Sequence, residues 1–217
     1  EIMSSDWSSD VCSSDLCNAG VCTDPCALSK ATRSYVGCEY FAVDLQNATS
    51  SAGYRPDTAQ FALVVSYAGK SEHAVRVKIF AADTGHERVV AEGDVFPGGI
   101  KVFELGPANV DGTGLSRKAF RVLAQAPVTV YQFNPLNNTE EAYSNDASLL
   151  LPVPSLDREY IAVTGDAIVV NDVYDSSISY NLGAFVAVVG VRDNTRVTIT
   201  RRRRSAPVRR SRPAARR

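Results

Sequence analysis

From residue 34 onward, the distribution of apolar and polar side chains takes on the pattern of β-strands, with short apolar runs and, in AVRVKIFA, a clean alternation. FALVVS (61–66), AVRVKIFA (74–81), IKVFEL (100–105), KAFRVLA (118–124) and PVTVYQF (127–133) are short and rich in β-branched and aromatic residues. Gly, Pro, Asn or Asp separates them. In AVRVKIFA the alternation predicts that Val75, Val77 and Ile79 face a core while Arg76, Lys78 and Phe80 face outward, as in an antiparallel strand buried on one side. YAGKSE, FPGG and the DGTG of residues 111–114 supply turns. No stretch carries a helix stripe of ordinary length, and none approaches the ~18–20 apolar residues of a membrane helix. Strands recurring about every 10 residues with turn signals between them predict an all-β fold, an antiparallel β-sandwich.

FALVVSYAGKSEHAVRVKIF, starting at Phe61, has an echo in FVAVVGVRDNTRVTIT, starting at Phe185. Each is an aromatic-led apolar strand, a polar connection and an alternating strand. A repeated unit places a first sandwich at residues 35–152, with LPVPSLDREYIAVT as hinge and entry strand of a second unit at 153–200, cut short after its first hairpin.

The two ends depart from this pattern. EIMSSDWSSDVCSSDL, residues 1–16, holds six serines and three aspartates with neither strand nor helix periodicity and without the layout of a signal peptide. Back-translated from Asp6, it reproduces a common sequencing-library adapter in one reading frame, so residues 1–16 are expected to be an adapter-derived, disordered scar. RRRRSAPVRRSRPAARR, residues 201–217, has nine arginines and no acid. One reading is a basic arm for an anionic partner. The other is a frameshift product, since GC-rich Thr-Pro codons read one base late become arginine codons; the abrupt change of composition favours it, with a disordered tail and a truncated domain as its consequences.

Setting the ends aside changes the charge. The whole chain carries a net −1, but residues 17–200 hold 14 basic and 20 acidic residues, about −6. A mildly acidic body argues against nucleic acid as a partner. It also leaves Cys17, Cys22, Cys26 and Cys38 clustered in residues 17–38, with no cysteine in the following 162 residues. Such clustering predicts disulfides that staple a small segment, and hence an oxidising compartment. The spacings lack the close pairs of a zinc site and no histidine lies nearby; four cysteines permit three pairings, which spacing leaves open.

Candidate chemistry is sparse. His73 and His86 lie in polar, turn-like stretches, and no G-x-S-x-G, H-E-x-x-H or phosphate loop is present. Glu140 and Glu141 are adjacent in a polar loop, which does not make a glycosidase pair. Catalytic residues are therefore expected to be none. Asp111, Asn134, Asn137, Asn138, Asn145 and Asp146 supply oxygen ligands from loops that could share one end of a sandwich, which makes Ca2+ the one cofactor considered. The competing role is ordinary turn chemistry. Asn47 and Asn137 begin sequons in form. In YQFN, Val128, Val130 and Gln132 alternate with Thr129, Tyr131 and Phe133; Tyr131 and Phe133 are expected in the core, with a sugar-stacking platform as the alternative.

Several segments are specific enough to carry a resemblance. GCEYFAVDLQNA (37–48), VFELGPANVDGTGLSRKAFRVLAQAPVTVYQFNPLNN (102–138), YSNDASLLLPV (143–153) and VVGVRDNTRVTIT (188–200) resemble the IgGFc-binding protein N-terminal domain family. The resemblance implies a large secreted or surface protein, with bacterial members among them, and its pattern continues past residue 200 where arginines stand here. The cysteine cluster resembles the Cys-rich region that precedes the domain in bacterial relatives. No contact motif carries over residue by residue, so binding residues stay unknown, and immunoglobulin binding is not implied for a bacterial member. The expected function is a non-catalytic, extracellular recognition or adhesion module with an unknown protein or glycan partner, a fragment of a larger bacterial surface protein. Alternatives are an architectural spacer and, less favoured, a carbohydrate-active enzyme. A binder should show a contiguous apolar or aromatic patch, or a loop-end cluster of polar groups; a spacer should show a scattered charged surface and uniform unit-to-unit contacts.

Overall fold

The computed structural model describes residues 17–18, 21–22, 24–31, 33–47, 56–70, 72–83, 86–137, 145–165, 168–171, 179–182 and 184–200. Along the chain come β1 (Cys17–Asn18), β2 (Val21–Cys22), helix α1 (Pro25–Ala31), β3 (Gly37–Ala42), β4 (Phe61–Ser66), β5 (Val75–Asp83), β6 (His86–Val95), β7 (Ile100–Leu105), β8 (Phe120–Phe133), β9 (Ala147–Leu149), β10 (Ile168–Asn171) and β11 (Ser179–Leu182). β1 pairs with β2 and β10 with β11 as separate two-stranded ribbons. The main sheet is antiparallel and runs β6-β5-β8-β4-β7, with β3 and β9 also on β8.

β8 is the strand on which everything else hangs. Its first half, Phe120 to Ala124, lies between β5 and β3; its second half, from Thr129, lies between β4 and β9. One strand thus serves two half-sheets, and the all-β sandwich is a single sheet folded along a crease at residues 125–128. β6 and β7 stand at opposite ends of the strand order but are joined by a four-residue turn, so the sheet curls until its ends nearly meet. In that turn Gly98 takes φ +71°, and Gly99 N–H donates to Phe96 O at 2.9 Å. Pro97 before a left-handed glycine makes a type II turn. Along the seam the Lys101 side chain lies over Gly93, where a Cβ would come within 2.5 Å of it.

KAFRVLA and PVTVYQF, expected as two strands, are therefore one. Pro127 would break a central ladder, but it falls in the crease, after the last β5 pair at Ala124 and before the first β4 pair at Thr129, where its missing N–H is not needed. Side chains satisfy the backbone there: Gln125 Oε1 accepts from Arg76 N–H at 3.2 Å, and Tyr40 O–H donates to Val128 O and to Tyr35 O. Burial raises the Tyr40 phenol far above its ordinary range, so it remains a donor.

Inside the fold lie Val75, Val77 and Ile79, as the alternation predicts, with Phe61, Leu63, Val65, Phe103, Val122, Val128 and Val130. Phe61 stacks on Phe120 with centroids 5.7 Å apart, closing one end of the core. β3 and β6 were not foreseen. β6 is exposed along most of its length and turns only Gly93 and Val95 fully inward, which leaves little alternation to read; His86, expected in the turn-like stretch TGHERV, is the first residue of this strand and is exposed.

Cys26 and Cys38 form a disulfide, Cα atoms 5.8 Å apart, that ties α1 to β3. The Cys26 sulfur lies 3.7 Å from the carbonyls of Ala124 and Gln125, so the helix is pinned over the crease. Cys17 and Cys22 are opposite one another in the β1–β2 register. The chain after β9 also returns to this side: Pro152 is buried against Gly37, and Ser155 Oγ both donates to Ser34 O and accepts from Ser34 N–H. Beyond Asp157, residues 158–165 and 184–200 hold no strand among the described residues, where an entry strand and a hairpin were expected.

Phe120→Ala is expected to cost about 3–5 kcal/mol in chemical denaturation, because it removes the ring that closes the core. Replacing both Cys26 and Cys38 by serine should cost about 2–4 kcal/mol, from the freed 12-residue loop.

Candidate recognition surface

The two outer faces of the folded sheet differ in chemistry. Outside β3, β5, β6 and the first half of β8, arginines and acids interlock. Arg76 meets Glu92 at 2.8 Å and Asp94 at 3.1 Å; Arg121 meets Glu39 at 2.8 Å and Glu87 at 3.0 Å. These partly exposed networks keep the face wetted and add little to stability pair by pair.

Outside β7, β4, the second half of β8 and β9, the chemistry is apolar. The register sets Val102 beside Val64, Val64 beside Tyr131 and Tyr131 beside Leu149, one continuous row across four strands. Ile100 and Leu151 extend it. Ile100 is 70% exposed, Val102 46%, Tyr131 38%, Leu149 42% and Leu151 46%. Glu104 is the single charged residue among the outward positions of these four strands. Four strands at ~4.8 Å spacing, with three same-face residues on β7, β4 and β8 and two on β9 at ~6.7 Å, give a face on the order of 400 Å2, in which Glu104, Ser66 and Thr129 are the polar positions. A face of this size is comparable to the largest patches that soluble monomers expose, which are commonly associated with function.

Tyr131 and Phe133 are thus on the outer side, and the expectation that they fill the core is corrected. Val128, Val130 and Gln132 point inward instead. Alternation gave the two faces but not their sense. The deciding feature is Gln132: its Oε1 accepts from Val43 N–H at 3.2 Å, so an inward amide is used to hold the loop after β3.

Loops gather at the end of the core closed by Phe61 and Phe120. Leu45 bridges Val110 in parallel pairing and accepts from Asn134 Nδ2 at 2.7 Å; Gln46 Oε1 accepts from Gly112 N–H at 3.3 Å. Of the residues considered for calcium, Asn134 and Asn145 commit their amide donors to the carbonyls of Leu45 and Leu136, and Asp146 O accepts from Asn134 N–H at 2.9 Å. These bonds tie together loop segments that are distant in sequence. Asp111 lies beside Gly112 on the loop held by Gln46, while Asn138, Glu140 and Glu141 fall outside the described residues. Among the described residues no group of three or more His, Cys, Asp or Glu side chains is placed to hold a metal ion. A cavity of about 430 Å3 opens here, lined by Ala81, Pro107, Asp111, Arg117 and Lys118 among others. Its cations are engaged, Arg117 with Asp193 at 3.5 Å and Lys118 with Asn109 O.

Asp44 is the buried carboxylate of this end, 3% exposed. Its Oδ2 accepts from Ala108 N–H and its carbonyl from Val110 N–H, each at 2.9 Å, which fixes the loop between β7 and β8. Desolvation raises its pKa, opposed by the Ala108 hydrogen bond; Asp111 adds to the rise and Lys118 opposes it.

Residues 146–215 match the family described as IgGFc binding protein. The matched span starts at β9, the edge strand of the apolar face, and includes the turn at residues 191–194 and most of the arginine-rich run. Of the segments that carry the sequence resemblance, VVGVRDNTRVTIT lies wholly within it, YSNDASLLLPV from residue 146 onward, and the two earlier ones outside. No curated protein and no solved structure matches the chain.

Because the folded pKa of Asp44 lies above the unfolded one, its folded form holds the proton more tightly. Its contribution to stability is present at low pH and is lost as pH rises from the ordinary carboxylate range through the raised value. Asp44→Asn keeps an acceptor for Ala108 without the charge. It should flatten the stability-against-pH curve over that window and leave neutral-pH stability equal to or above the parent's, as measured by thermal melts across pH.

Proposed function

We propose that this chain is a non-catalytic recognition module acting outside the cell, part of a larger surface or secreted protein of the IgGFc-binding type, and that it engages a protein partner through the outer face of β7, β4, β8 and β9. The observation that carries this reading is the contrast between the two outer faces. An architectural spacer is expected to present scattered charge on all sides, as the Arg76 and Arg121 face does; the row Val102, Val64, Tyr131, Leu149 is instead contiguous and nearly uncharged. Aliphatic side chains with one ring and few donors suit an apolar protein surface better than a sugar, which needs polar groups to orient it.

Other features agree with this setting. The Cys26–Cys38 disulfide fits an oxidising compartment, and no helix among the described residues is long and apolar enough to cross a membrane. The family match, by its description, concerns a binding protein. The face is about half the ~800 Å2 per partner of a standard interface, so one module binds modestly and repeated modules would bind by avidity.

The test uses the full chain against immobilised immunoglobulin constant region, then arrays of extracellular proteins and glycans. Tyr131→Lys is expected to weaken the protein interaction about 30-fold, as loss of a ~2 kcal/mol central aromatic would, with melting unchanged. Arg76→Ser on the charged face should leave binding intact. A folded chain that binds no probe, or one that binds equally well with Tyr131→Lys, would sink the proposal.

A further inference from the structure

Two features without a strand partner among the described residues occur on the same chain. The first is the outer edge of β9. Leu150 N–H donates to Val130 O and Asp146 O accepts from Asn134 N–H, so in the antiparallel ladder Ser148, opposite Gln132, turns its backbone groups toward β8. The N–H and C=O of Ala147 and Leu149 therefore point the other way, along an edge that pairs with no other strand among the described residues. Native proteins usually blunt such an edge with charge, proline or extreme shortness, and β9, at three residues, has only the last. Ala147, Ser148 and Leu149 bring neither charge nor proline.

The second is the segment Thr195-Arg-Val-Thr-Ile-Thr. It alternates as a strand does, exposes Val197 at 50% and Ile199 at 71%, and has no strand partner among the described residues. In this chain edge and segment do not meet: the turn before the segment is closed by Thr195 Oγ1 donating to Arg192 O at 2.7 Å, and Asp193 reaches Arg117.

We propose that residues 195–200 of a second copy add to the open edge of β9, joining copies head to tail by strand addition. Ala147 and Leu149 supply the edge hydrogen bonds, and Val197 and Ile199 continue the apolar row from Tyr131 and Leu149 onto the neighbour. Because the donor and acceptor surfaces differ, the contact is heterologous and does not close on a two-fold axis; it makes short chains whose length grows with concentration. An added strand widens the apolar face without covering it, so this inference goes beyond the recognition reading and stands apart from it.

Complementation tests the idea with full-length protein. Ala147→Pro removes an outward N–H and leaves the β8 ladder whole, since proline is tolerated on the free side of an edge strand. Val197→Lys with Ile199→Lys removes the apolar side of the donor. Light scattering across a concentration series should show the parent rising to about twofold mass or more, and each variant alone staying monomeric. An equimolar mixture of the two should form dimers and nothing longer, because one keeps a donor and the other an edge; dimers also show that both variants are folded. A parent that stays monomeric throughout, variants that associate like the parent, or a mixture that stays monomeric while each melts normally would each overturn the proposal. Hydrogen-exchange protection of Ala147 and Leu149 in a monomeric parent, lost on Val197→Lys with Ile199→Lys, would overturn it in favour of pairing within one chain.

Discussion

A strand that belongs to two half-sheets must change neighbours part-way, and the groups at the change must be satisfied by something other than a ladder. β8 does this between Ala124 and Val128. Pro127 sits where a donor is not needed, Gln125 reaches Arg76 N–H, and Tyr40 closes on Val128 O. The Cys26–Cys38 staple then holds α1 over the same crease. With those bonds in place the sheet folds on itself, Phe61 meets Phe120, and the ends at β6 and β7 come together. Buried polar groups left unpaired at such a bend would be costly, which is why so many unrelated side chains converge there.

Folding one sheet along one strand also creates the difference between the outer faces. Both halves share a core, so their inward residues are alike. Outward residues are free of that constraint, and they diverge: ion-pair networks on one half, Ile100, Val102, Val64, Tyr131 and Leu149 on the other. Nothing in packing requires Tyr131 to be where lysine or serine would be better hydrated. The recognition role proposed above accounts for that choice, and the residues matched by the family, 146–215, include β9 at the edge of this face.

Much of the strand layout was legible in the residues. AVRVKIFA turned its valines and isoleucine inward as expected, and FPGG formed its turn. β6 was not, because an edge strand with four charges and a glycine carries hardly any alternation. The candidate surface was half legible: the grouping of Tyr131 with Thr129 and Phe133 follows from a period of two, yet their side was misassigned, since aromatics are ordinarily the better core residues and Gln132 the worse.

What the sequence determined by itself was class and parity: an all-β chain, its turns, its four clustered cysteines, and which residues lie together on one side of each strand. These are local properties, set by side-chain branching and by a backbone repeat of two. What only the tertiary structure decided was sense and partnership. Which parity faces the core, which two cysteines of the cluster join, and which strand bridges the halves depend on groups brought from far along the chain, such as Val43 for Gln132 and Ala124 for Cys26. No local pattern encodes a partner that distant.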